Sequence, residues 1–144
     1  MRLQLTRRAD YAIRTTICLA RAGKEQRLAA AHIAEQMQVP PRFLPQIMGD
    51  LVRAGLIESS LGRGGGYRLA REARDVSVLD VIEAVEGDAR RRTCVLSSSA
   101  CDATRPCDVH ELFATAQDAL LERLADATVE DAIHRGEGDG PALS

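Results

Sequence analysis

At 144 residues and 45% apolar, the chain is long enough for one globular domain and a helix or two more, and it lacks the run of about eighteen apolar residues needed to cross a membrane. Its net charge of −2 hides a division, because residues 1–76 hold thirteen Arg or Lys against seven acids while residues 77–144 hold six against fourteen. The first part is suited to approach phosphate and the second is not.

Basic residues precede apolar ones at the N-terminus, but Asp10 and Arg14 interrupt the apolar part and no small-residue cleavage site follows. This is expected to be a helix of a cytoplasmic protein rather than a signal peptide. In a reducing compartment the four cysteines are expected to be ligands or buried fillers, not two disulfides.

From Arg8 to Arg21, positions Ala9, Ala12, Ile13, Thr16, Ile17, Leu19 and Ala20 recur at three and four, which predicts a helix ended by Gly23. Ala30 to Met37 fits a second, short helix. Val39-Pro40-Pro41 turns the chain, and Arg42 to Ala54 repeats the period with Phe43, Leu44, Ile47, Met48, Leu51 and Val52 inward and Gly55 closing it. Helix, helix, tight turn and helix is the outline of a helix-turn-helix. Leu56–Ser59 and Tyr67–Ala70 are strand-like runs, joined by a stretch with four glycines in the five residues 62–66. That is a hairpin tip, so the domain is expected to be winged.

Ser77, with Asp80 three residues later, starts a fourth helix that Gly87 stops. Polar residues 88–107 then carry Cys94, Cys101 and Cys107. Beyond them Val109, Leu112, Phe113, Ala116, Leu120, Leu121 and Leu124 form an apolar stripe too long for a small wing domain to cover, which implies a partner helix from a second copy. Thr128 and Asp131 cap a last short helix. The expected fold is mainly α with a small β-hairpin: a winged helix-turn-helix DNA-binding domain over 1–76, the cysteine loop and dimerisation helices over 77–134, and a disordered tail over 135–144.

Twelve of the thirteen basic residues in the first part are arginines, which favours bidentate contact with phosphate or guanine. On the third helix Arg42, Gln46, Asp50 and Arg53 fall on the outward side, Gln46 suiting adenine and Arg42 guanine or phosphate. Pro45 removes a backbone donor, so this helix is expected to start near Arg42 and to be distorted in its first turn. Arg63 at the glycine-rich tip suits a narrow minor groove or the phosphate backbone. Double-stranded DNA is the expected partner, in preference to a protein-binding module whose arginines only solubilise it.

Thiolates are soft, charged and short enough for Cys94, Cys101 and Cys107 to converge on one iron or zinc centre. His110 lies three residues after Cys107, one turn away if a helix starts near Asp108, and completes a set of three cysteines and one histidine. Such a set also suits structural zinc, although intervals of six and five residues between the cysteines are wide for the close ligand pairs of a zinc knuckle. A metal-free thiol switch is the third alternative. Cys18, mid-helix, reads as a buried small hydrophobe. His32 and His134 read as surface or capping residues, and Arg90, Arg91 and Arg92 as a solvated run or as an offset to cluster charge. A cysteine near a histidine also raises enzymatic nucleophilicity, but without an oxyanion loop or a cofactor fingerprint neither an enzyme nor a small-molecule substrate is expected.

The string from Phe43 to Leu69, FLPQIMGDLVRAGLIESSLGRGGGYRL, resembles winged-helix regulators of the IscR and NsrR type, in which the recognition helix runs into an AGL turn and a GGY wing. ADYAIR at 9–14, VEG at 85–87 and three cysteines before a long helix match in order and spacing, over roughly residues 1–133. The resemblance implies a bacterial homodimeric transcription factor, most often a repressor, holding a 2Fe-2S or 4Fe-4S cluster near its dimerisation helix. It also implies two candidates for the fourth ligand. Asp10 matches the position from which NsrR-like proteins supply a carboxylate across the dimer, and the Cys107–His110 pairing matches the IscR-like pattern. Nitric oxide, redox state and cluster supply are the signals it implies. Relatives often carry an arginine where Leu61 stands, so the minor-groove contact is expected either to shift to Arg63 or to be weaker.

Overall fold

The computed structural model describes residues 5–89, 104 and 107–136. The first helix, α1 (Arg7–Ala22), begins where the Thr6 hydroxyl accepts from the Ala9 amide at 3.1 Å and ends at Gly23. It is the most enclosed element, packed against the next two helices, the wing and two later helices. Enclosure explains why Thr15 and Cys18 are buried alongside the expected apolar positions, while Ile13 and Ala20 are half-buried. The buried Thr16 hydroxyl returns its hydrogen bond to the Ala12 carbonyl at 2.8 Å, which lets a polar side chain sit in the core without an orphaned group.

Helix α2 (Ala30–Met37) ends at Gln38, whose φ of 53° turns the chain into the prolines. Pro41–Phe43 form a short 3₁₀ turn and α3 (Leu44–Arg53) follows. The α-helix therefore starts two residues later than the expected Arg42, and Pro45 sits in its first turn, where its missing N–H leaves no bond unmade. Leu44, Ile47, Met48 and Leu51 are buried as expected, but Val52 is exposed: it lies on the rim of the apolar face. The helix closes in a Schellman motif, with the Leu56 amide on the Leu51 carbonyl at 3.0 Å and the Gly55 amide on the Val52 carbonyl at 2.9 Å. Gly55 has φ 73°, which is why glycine is needed there.

The wing is an antiparallel hairpin of β1 (Ile57–Ser60) and β2 (Gly66–Leu69), with Ile57 opposite Leu69 and Glu58 opposite Arg68. Ile57 and Leu69 reach the core. Leu28 adds one rung by exchanging two 2.8 Å backbone bonds with Tyr67. A Cβ on Gly66 would lie 2.6 Å from the Leu28 carbonyl oxygen, so this close rung requires glycine.

After a 3₁₀ turn at Ala73–Asp75 comes α4 (Val78–Glu86), started by a complete capping box between Ser77 and Asp80. The long helix α5 (His110–Asp126) packs chiefly on α4, and α6 (Val129–Gly136) returns to α1. Val129 joins the same core as Leu19, Leu51, Leu69 and Val81, so the core is continuous across position 76. Around it, Val78 donates to Ala127 and Val129 to Val76, each at 2.8 Å, which brings Ser77 and Thr128 side by side. The expected apolar stripe of α5 divides in two: Leu121 is buried and Leu124 half-buried toward the fold, while Leu112, Phe113, Ala116 and Leu120 are exposed. Helix α6 runs to Gly136, two residues into the expected tail, whose residues 137–144 lie outside the described ones. Among the described residues no helix is long and apolar enough to cross a membrane.

Ser77→Ala removes a cap and is expected to cost about 1 kcal/mol, a fall in melting temperature of about 3–5 °C by circular dichroism. Asp131 closes a second capping box, its carboxylate accepting from the Thr128 amide and its own amide donating to the Thr128 hydroxyl, and the Thr128 backbone first and side chain second hold its carboxyl below the usual carboxylate range. A depressed folded-state pKa stabilises above the unfolded value and loses that contribution as pH falls through the folded one. The melting-temperature gap between wild type and Asp131→Asn should be open at neutral pH and close as pH drops through and below the carboxylate range.

Candidate DNA interface and cysteine loop

The groups expected to read DNA are not presented alike. Arg42 belongs to the 3₁₀ turn rather than to α3, is exposed, and lies 5.0 Å from the centre of the Phe43 ring. Phe43 in turn packs on Tyr11 of α1, their ring centres 5.2 Å apart. The guanidinium thus rests over a supported aromatic face, which narrows the orientations it must give up on binding. Gln46 is exposed one turn further on, and Arg63 is exposed at the wing tip beside a Leu61 that is 98% accessible.

Asp50 departs from its expected outward role. Its carboxylate is only 12% exposed and accepts from both Arg8 of α1 and Arg53 of α3. Arg53 therefore lies back along its own helix, over Gly49, where a Cβ would stand 3.3 Å from the guanidinium. Reading the sequence misses Arg8 here, since no periodicity joins positions 42 residues apart; the only trace is a glycine in the middle of a helix, one turn before an arginine.

Asp10, the carboxylate candidate for a metal, makes an ion pair with Arg14 at 2.9 Å, and Arg14 also donates to the Met37 carbonyl at 3.3 Å. Cys107 is half-buried just before α5, and its carbonyl accepts from the amide of His110, the first residue of that helix, at 2.9 Å. A thiol and an imidazole are so placed within one turn, and both donor types suit iron. Cys94 and Cys101, with Arg90, Arg91 and Arg92, lie outside the described residues. Among the described residues no three His, Cys, Asp or Glu side chains form a metal-sized group. At the other end of the loop Ala89 donates to Glu83 of α4 and accepts from Gln117 of α5, both at 3.3 Å.

Cys18 is buried in α1, and burial raises its thiol pKa against the opposing charge of Arg21. His32 and His134 are exposed. With chelator-treated protein at pH 8, iodoacetamide should label Cys107 and spare Cys18 until guanidinium unfolds the chain, as read by peptide mass spectrometry. Rapid native labelling of Cys18 would show that α1 is not enclosed.

The family model for Rrf2, an iron-dependent transcriptional regulator, matches residues 5–135. An HTH-type transcriptional regulator of Neisseria meningitidis serogroup A is 30% identical over 139 residues, spanning 96% of this chain and 93% of its own. Among solved structures, CymR, the global cysteine regulator of B. subtilis, aligns with a TM-score of 0.77 at 28% identity over 93% of this chain and 98% of its own. The IscR of T. potens aligns with the same TM-score at 27% identity over 99% of this chain and 94% of its own.

Proposed function

The chain belongs to the Rrf2 family of helix-turn-helix transcriptional regulators, and we propose that it acts as a homodimer whose hold on DNA is set by an iron-sulfur cluster ligated by Cys94, Cys101 and Cys107. It is a regulator and not an enzyme. The observation that carries the cluster reading is the turn that begins α5, where the backbones of Cys107 and His110 are hydrogen-bonded at the root of a helix whose outer side exposes Leu112, Phe113, Ala116 and Leu120. A second copy is the occupant that the apolar outer side requires, which puts the ligand turn beside a subunit boundary. The likeness to IscR supports the same reading.

His110 is the better fourth ligand within this proposal. It shares a turn with Cys107, whereas Asp10 lies on α1. An imidazole in place of a fourth thiolate would, with the cluster bound, leave one iron more open to nitric oxide, oxygen or exchange. The chain's own residues supply the rest. Arg42 and Gln46 face the major groove, Arg63 meets phosphate or the minor groove, and dimer symmetry sets two half-sites on one face of the duplex.

Protein purified without oxygen should be brown and contain iron and sulfide in matched amounts. Cys107→Ser should lose the colour with the dimer intact by light scattering; His110→Ala should keep it but bleach faster under air or nitric oxide; Asp10→Ala should behave as wild type. Faster bleaching of Asp10→Ala alone would transfer the fourth ligand to Asp10. Colourless protein with one zinc per chain, or without metal after reconstitution, would replace the cluster with structural zinc or a thiol switch.

A further inference from the structure

A carboxylate on a recognition helix, beside arginines that could meet phosphate, needs a reason, since it repels DNA. We propose that Asp50 is a positioning residue that competes with phosphate for Arg8 and Arg53, and so lowers the affinity of α3 for DNA of arbitrary sequence. The inference rests on α3 being the reading helix.

Three observations converge. Asp50 is 12% exposed, too recessed to meet a base edge ahead of its neighbours, and it engages two cations at once. Arg53 is 72% exposed and pairs with Asp50 above Gly49. Arg8 is 40% exposed at its side chain yet keeps a buried Nε without a partner in the fold, so its guanidinium is fixed at a cost in unmade hydrogen bonding. Two arginines that would each take up a phosphate are both engaged by one internal carboxylate, which offsets one of their two charges and occupies the donors of each. A duplex must displace Asp50 to recruit them. A cognate site, with its other contacts in register, is better able to do so than a random one, and discrimination between sequences widens accordingly.

The test is fluorescence anisotropy with a 30-base-pair duplex of arbitrary sequence at several salt concentrations, beside a site obtained by in vitro selection with the same protein. For Asp50→Asn, the plot of log affinity against log salt on the arbitrary duplex should steepen by about 0.9 per arginine released, which is about eightfold in affinity at 0.1 M relative to 1 M salt. The preference for the selected site should narrow. Adding Arg53→Gln to Asp50→Asn should take back about one such step. Arg53→Gln alone, on an exposed side chain that threatens no core, should leave the wild-type slope on the arbitrary duplex unchanged. It therefore decides the matter even if Asp50→Asn folds poorly.

An unaltered slope for folded Asp50→Asn, or a loss of about 0.9 for Arg53→Gln alone, would overturn the proposal by showing Arg53 already free for phosphate. A changed preference at one base pair with the slope intact would overturn it in favour of Asp50 touching a base. Wild-type protein without affinity for any duplex would instead remove the DNA-reading assignment of α3 itself.

Discussion

The enclosure of α1 is the constraint from which the other positions follow. Ala9 and Ala12 present almost no side chain and are fully buried, so α3, α4, α6 and the wing can all approach the same helix closely. Packing at interior density makes such a hub rigid, and the groups at its start inherit that rigidity. Thr6 bonds to Glu86 at the end of α4, and Arg8 bonds to Asp50 on α3. The aromatic shelf beneath Arg42 is built on Tyr11 of the same helix. The DNA-facing surface is thus a set of side chains levelled against α1 rather than a property of α3 alone.

That arrangement also connects the root of the cysteine loop with α3. At the root of the cysteine loop Ala89 is tied to Glu83 and Gln117, one turn from the Glu86 that holds Thr6. From Thr6 the path to Asp50 runs along less than one turn of α1 to Arg8. A chain of directional polar bonds therefore runs from the loop's root to α3.

What the sequence disclosed and what it concealed divide along the range of the forces involved. Caps, stops and the hairpin depend on neighbours within a few residues. Ser77 with Asp80, Thr128 with Asp131, Gly23, Gly55 and Gly87 were all legible, and the helix-turn-helix followed from them. Pro45 was legible as a disturbance, and the 3₁₀ turn before α3 is its resolution. The fate of Val52 and the division of the α5 stripe depend on which neighbours cover a face, which a period cannot specify. Least legible was Asp50: helical geometry gives its direction, but its partner Arg8 belongs to a helix 42 residues earlier, and only the fold brings them together. The turn that opens α5 was half visible, since the Cys107 and His110 spacing shows in sequence while the company each keeps does not.

The rung joining Ser77 to Thr128 has a topological meaning beyond its two capping boxes. It pins residue 78 to residue 127 and residue 129 to residue 76, so the start of α4 and the start of α6 are held side by side. Between those ends run α4, which stays packed on α1, and then the cysteine loop and α5, which packs back on α4, so the loop and α5 form an excursion closed at both ends. Loop closure charges little for added length once the ends are held. A lineage can therefore lengthen, shorten or re-equip that excursion with different chemistry, and the reading head beneath it keeps its shape.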